Sequence, residues 1–372
     1  MQEKDARHLL LYFVLANALV LGTLGYAGVL EVRFPDFYFQ SIQEDEYIEW
    51  ATVWAFLLAG VAAFLLAARF RAATARFPWY FYGLGLFCVL VAMEEFSWGQ
   101  RVIGYRPPVY FLENNFQQEL NIHNVIDTGI RKLVLSLAIL GYGVALPLLG
   151  VFATTRSWLG RFGITAASAA LIPAFAATWL LYELYPWGYS GEWVELMFGS
   201  SMLFSLLPML RTSASPANSA LRSLATTGIA AWSLTIVLGL LCGAASRAQR
   251  DVHPAIQQAA QAEIEAIRRD FASGRASTRC NLHKRLYTYV VEYDETGLLD
   301  GEFSRLRNQG LPAERADYLI DPWNSPYWLR DRCDRRTGKR YTFVYSFGPD
   351  RNRDSSETEI RGDDVGAYIK MR

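Results

Sequence analysis

Seven apolar runs, each close to the length that crosses a bilayer, constrain this chain more than any other feature. They are Leu9–Leu30, Ala51–Ala68, Trp79–Trp98, Leu133–Phe152, Ile164–Tyr185, Val194–Leu210 and Thr226–Ala245. About 20 apolar residues in a helix span ~30 Å of hydrocarbon, and lipid offers no partner for an open backbone group, so such runs fold as helices. The first run follows Lys4 and Arg7 as a secretory signal would. It is, however, about twice the ~7–15 residues of a signal's apolar stretch, and it reads as a retained helix. The expected fold class is an α-helical polytopic membrane bundle of about seven transmembrane helices, followed by a small α+β soluble domain.

Basic residues in the joints orient these helices. Lys4 and Arg7 precede the first run, Arg69, Arg71 and Arg76 follow the second, Arg156 and Arg161 follow the fourth, and Arg211 and Arg222 precede the seventh. These joints share one side, expected to be the cytoplasm. The alternate joints include the acidic stretch Glu31–Trp50, with Arg101, Arg106, Arg131 and Lys132 as exceptions in the long Gly99–Lys132 joint. The expected location is a bacterial inner membrane, with the N-terminus cytoplasmic and the C-terminal domain periplasmic. The lipid bilayer is then the first partner.

Composition changes near Ser246, from long apolar runs to dense charge. Residues 1–225 are expected to form the polytopic domain, and 226–372 the seventh helix running outward into the soluble domain. With 36 basic and 36 acidic residues the net charge is zero, which removes the field that nucleic-acid binding needs. Cys88 and Cys242 fall within apolar runs, whereas Cys280 and Cys333 fall in the domain expected outside. An oxidising compartment makes that second pair a disulfide candidate, with two free thiols as the alternative.

Ionisable side chains near hydrocarbon are costly and usually have a reason. Glu94 and Glu95 close the third run, and Glu94, Trp98 and Arg101 share a face if the helix continues. His123, Glu183 and Glu195 are expected at the same outer leaflet, as are Glu46, Glu49 and Glu192. Glu94, Glu95, Arg101, His123, Glu183 and Glu195 therefore make a candidate polar site, one able to bind a divalent metal, activate water or conduct protons. Glu95 and His123 are expected to point into one cavity. Glutamates solvated at helix ends are the plain alternative.

Beyond the membrane runs, Ile256, Ala260, Ile264 and Ile267 recur at helical spacing, so the helix is expected to continue the seventh span. Leu282–Tyr293 reads as helix or extended chain, Tyr341–Phe347 as a strand, and Pro322, Asn324, Pro326, Gly338 and Gly348 as turns. The sequences DPWNSPYWL from Asp321 and YTFVYSFGPD ending at Asp350, with an acidic loop closing on Asp363 and Asp364, resemble the C-terminal half of the major pseudopilin of type II secretion systems. The resemblance covers roughly Thr226–Tyr368. It implies a pseudopilin-like α+β domain, envelope or secretion-type protein partners, and calcium held by Asp350, Asp354, Asp363 and Asp364. The chain departs from that family where a cleavage site and a glutamate five residues into the helix are needed: the fifth position after Gly228 is Ser233. The resemblance therefore implies a permanently anchored module rather than a filament subunit. The stretch running from Glu94 through Arg101 to Asn124 is similar to uncharacterised bacterial multi-spanning proteins, which implies no activity.

Two readings of function follow. In the first, the bundle anchors and orients the pseudopilin-like domain for an envelope partner. In the second, the chain is a membrane enzyme or carrier whose chemistry lies at the carboxylate and histidine cluster.

Overall fold

The computed structural model describes residues 3–103, 105–115, 117–212, 224–249, 252–272, 280–292, 301–334 and 337–371. The chain divides into two compact units, one of Met1–Gly99 with Ile126–Ala244 and the other of Gln100–Val125 with Ala245–Arg372. The expected boundary at 225 preceded the last apolar helix. The units instead part between Ala244 and Ala245, within the last turn of that helix, and the second unit also takes in 100–125 from the middle of the chain.

The first unit is helical: α1 (Glu3–Arg33), α2 (Tyr47–Thr74), α3 (Trp79–Glu95), α4 (Thr128–Leu140), α5 (Ile172–Leu184), α6 (Ser190–Thr212) and α7 (Leu224–Ala248). A π-turn over Gly141–Ala145 carries α4 into the helical turn Leu146–Val151. Among the described residues five helices are long and apolar enough to cross a membrane: Ala6–Arg33, Tyr47–Thr74, Thr128–Val151, Ser190–Arg211 and Leu224–Ala248. The other two expected spans are shorter apolar helices, α3 with 17 residues and Ala169–Leu184.

Side-chain placement in this unit suits a lipid surround. Leu10, Leu11, Val14, Leu133, Val134, Leu137, Val237, Leu240 and Leu241 are exposed, a cost in water that vanishes against acyl chains. The interior is filled by aromatic rings. Phe56 of α2 meets Phe198 of α6 edge to face at 5.7 Å, and Phe198 meets Phe175 of α5 at 6.3 Å. Small residues let backbones close in. On α7, a Cβ at Gly239 would stand 2.8 Å from the Tyr47 carbonyl oxygen, and one at Gly243 would stand 3.0 Å from the Tyr47 amide nitrogen. This Gly-x-x-x-Gly face seats α7 on the start of α2.

The expected continuation of the third run through Trp98 to Arg101 does not occur. Helix α3 stops at Glu95, and Ser97, Trp98 and Gly99 adopt φ of 49°, 55° and 76°. With the helix ended there, Glu94 accepts a hydrogen bond from the Trp98 indole at 2.7 Å.

In the second unit the seventh span is likewise not continued as one helix. Helix α7 ends at Ala248 and α8 begins at Pro254 (Pro254–Ala272). Proline lacks the amide that a continuous helix needs and biases the residue before it away from helical backbone, so it opens a new helix here. The apolar face of α8, Ile264, Ile267 and Phe271, packs with Leu329, Val344 and Ala367 from an antiparallel sheet. Strands β1 (Leu282–Arg285), β2 (Trp328–Cys333), β3 (Arg340–Ser346) and β4 (Val365–Met371) lie in that order, with Leu329 opposite Val344 and Val344 opposite Ala367. A helical turn, Leu286–Glu292, follows β1 directly, so the segment expected as helix or extended chain is both. Cys280 and Cys333 are joined in a disulfide with Cα atoms 5.3 Å apart, closing the chain across the start of β1 and the end of β2.

Candidate metal and carboxylate sites

Three glutamates of the first unit converge: Glu95 at the end of α3, and Glu192 and Glu195 in the first turns of α6. One carboxylate oxygen from each lies within 4.8 Å of the others. Glu192 and Glu195 are three residues apart on one helix, so they project from the same face. The fields of Glu49 on α2 and Arg131 on α4 also reach this group. Glu49 is buried and accepts a hydrogen bond from the Asp45 amide. Carboxylates this close repel one another unless cations or protons are held among them. The group can therefore hold a hard cation or pass protons.

Only part of the expected polar site is brought together. Glu95 and Glu195 meet, but Glu94 bonds to Trp98. Glu183, on α5, accepts from the Ser136 hydroxyl at 2.7 Å and pairs with Lys132 at 3.2 Å, both on α4. His123 belongs to the second unit, and the Arg101 side chain lies outside the described residues. Glu192 joins the group although its place in the sequence gave no more reason for it than Glu46 had. Its spacing from Glu195 was the available signal.

The stretch 100–125 folds against the second unit through polar contacts. Arg106 pairs with the Glu314 carboxylate at 3.1 Å and donates to the Glu314 carbonyl at 2.9 Å, while the Tyr318 hydroxyl donates to Glu113 at 3.1 Å. Internally, buried Asn115 donates to the Glu119 carbonyl and the Asn121 side chain, each at 2.7 Å, and accepts from the Gln117 amide. The Gln100 side chain accepts from the Leu120 amide at 2.7 Å. The Asn and Gln residues thus satisfy a compact irregular segment, as buried backbone requires.

The acidic C-terminal loop divides its aspartates between two tasks. Asp350, Asp354 and Asp363 each bring a carboxylate oxygen within 4.8 Å of the other two. Asp364 stands outside that trio and accepts from the Ser355 amide at 2.8 Å. Burial pushes the Asp364 carboxyl up to about 8. Glycines bring the loop together: Gly348 and Gly362 have φ of 73° and 62°, and a Cβ on Gly362 would fall 1.7 Å from an Asp354 carboxylate oxygen. Carboxylate oxygens are the donor type that hard cations take, and the three aspartates together could hold one.

The Asp-Pro-Trp turn is structural. Asp321 is buried and accepts from the Trp323 and Ser325 amides at 2.9 and 2.8 Å and from the Ser346 hydroxyl. Burial pushes its carboxyl up to about 7, against the lowering effect of those bonds. Arg315 ties the turn to α8, donating to the Asp321 carbonyl at 3.0 Å and to Glu263 at 2.8 Å, and Tyr327 donates to Glu263 at 2.6 Å. On the other face of the sheet His283 stacks on Trp328 at 4.8 Å and meets the Tyr345 hydroxyl at 2.9 Å. Burial, then the guanidinium groups of Arg353 and Arg330, hold its imidazole far below the usual range.

Comparison with protein-family models, with curated proteins and with solved structures gives no match.

Proposed function

We propose that this chain is a bacterial inner-membrane protein of about seven spans that anchors a pseudopilin-like domain outside the cytoplasm and presents it to an envelope or secretion-type protein. The observation that carries the reading is the second unit itself: a helix laid on a four-stranded antiparallel sheet, closed by a disulfide and carrying an aspartate loop between β3 and β4, attached to a unit of apolar helices. The disulfide favours an oxidising compartment, and the basic joints favour a cytoplasmic N-terminus. In this reading Asp350, Asp354 and Asp363 hold calcium, whose charge lets the loop close. The test uses the full chain in nanodiscs. Calcium should raise the unfolding temperature of the domain relative to chelator, and Asp354→Ala should remove that rise; an equal midpoint with and without calcium refutes the calcium centre. A photoreactive side chain at Lys370 on the outer strand β4 should trap an envelope protein in cells, and adducts confined to lipid would refute presentation.

A second reading is favoured by the Glu95, Glu192 and Glu195 group: a cation- or proton-handling site in the membrane unit, belonging to an enzyme or carrier. Manganese binding by the purified chain, followed by electron paramagnetic resonance, should then weaken in Glu195→Gln and survive in Asp354→Ala. Equal binding in parent and Glu195→Gln removes the metal from this site.

A further inference from the structure

The segment 100–125 has apolar side chains that its own unit leaves uncovered. Val102, Ile103, Val109, Tyr110 and Ile122 are exposed, with Ile103 the most open at 74%. Its polar side chains are occupied inside the unit: Arg106 and Glu113 on Glu314 and Tyr318, Gln100 on the Leu120 amide, and Asn115 on Glu119 and Asn121. Water-facing loops ordinarily show the reverse pattern, with polar groups out and apolar groups in. Both ends of the segment run straight into apolar helices. Gln100 is five residues after Glu95, the last residue of α3, and Val125 is three before Thr128, the first of α4. Beyond Val125 the exposed apolar residues Ile130, Leu133, Val134 and Leu137 recur at helical spacing on α4, a face suited to lipid.

We infer that the segment 100–125 rests in the headgroup and upper acyl layer of the bilayer through Val102, Ile103, Val109, Tyr110 and Ile122, and so clamps the soluble domain to the membrane surface through Arg106 and Glu113. The occupant is lipid rather than a protein because the chain passes, three residues after Val125, into a helix long and apolar enough to cross a membrane. Tyr110 suits the interface, having an apolar ring with a polar tip. The inference rests on the membrane reading of the helices but not on the identity of any envelope partner.

Spin labels test it in nanodiscs, each on a single introduced cysteine at Ile103, Val109, Leu137 or Glu359 in a Cys88→Ala, Cys242→Ala background. Labels at Ile103 and Val109 should resemble the one at Leu137, with oxygen accessibility several-fold above that of a water-soluble nickel complex, while the exposed Glu359 position shows the reverse. Nickel accessibility at Ile103 and Val109 matching Glu359, with Leu137 still in lipid, overturns the clamp and leaves the spans standing. Nickel accessibility at Leu137 as well overturns the membrane reading and the clamp with it. If the Cys88→Ala, Cys242→Ala background does not fold, a photoreactive side chain at Ile103 in the otherwise native chain supplies the readout. Lipid adducts there support the clamp, and their absence alongside lipid adducts at Leu137 overturns it.

Discussion

Two buried ionisable residues of the second unit give opposite pH dependences, and substitution separates them. Asp321 has a folded value raised to about 7 by burial, so the stability it contributes is fully present below its unfolded value near 4 and is lost as pH rises through 7. His283 has a folded value depressed by burial and by Arg353, so its contribution is present above about 6.5 and is lost as pH falls. Relative to the parent, Asp321→Asn should make stability fall less steeply with pH between about 4 and 7, by at most ~1.4 kcal/mol per pH unit. His283→Phe should remove a loss on the acid side below about 6.5. Urea midpoints followed by intrinsic fluorescence at several pH values check both signs. Neither shift was legible in the sequence. Asp321 was visible as the first residue of a turn, but its burial depends on Ser346 and Arg315, which reach it from separate elements.

At the level of elements, helix contacts and loop satisfaction give two further expectations. Gly239→Leu should displace α7 from α2, because the added side chain meets the Tyr47 carbonyl and the Ala51 backbone. The unfolding temperature in detergent should fall clearly, as overpacking costs about 1–3 kcal/mol. Gly22→Ala is the control: nothing lies within 4 Å of its Cβ, and alanine is the better helix former. In the segment 100–125, Asn115→Ala deletes the bonds to Glu119 and Asn121 and leaves buried acceptors behind, a cost of about 1–3 kcal/mol. Hydrogen exchange across residues 117–124 should speed up. The helices were legible because apolar length alone defines them. The strands β2 and β4 were not: Trp328–Cys333 runs Arg330, Asp331 and Arg332 together rather than alternating, and both strands pair with β3 between them. The end of α3 was also missed, since Ser97 and Trp98 take left-handed backbone without a local sequence signal.

For the whole molecule, the disulfide is the largest single constraint open to direct test. It joins residues 53 apart, and in the chain-entropy model such a closure stabilises the fold by about 4 kcal/mol. Cys280→Ser with Cys333→Ser should lower the denaturant midpoint of the second unit and leave the helical unit unchanged. Topology reporters fused after Ser215 and after Arg372 should report opposite sides of the membrane, because α7 is the one apolar run between them, and a shared side refutes seven spans. The sequence alone determined that the chain carries helices long and apolar enough to cross a membrane and an appended α+β domain, because apolar length and charge density are local properties that lipid and water read directly. It also singled out the cysteine pair and the aspartate loop, since few residue types can serve those purposes. Tertiary structure alone decided which glutamates meet, that Glu192 stands with Glu95 and Glu195 while Glu183 turns to Lys132, and that 100–125 packs with the distant C-terminal unit. Those outcomes depend on helix rotation, on a left-handed turn at Trp98 and on contacts some 200 residues apart such as Arg106 with Glu314. No local pattern encodes contacts set by the packing of the rest of the chain.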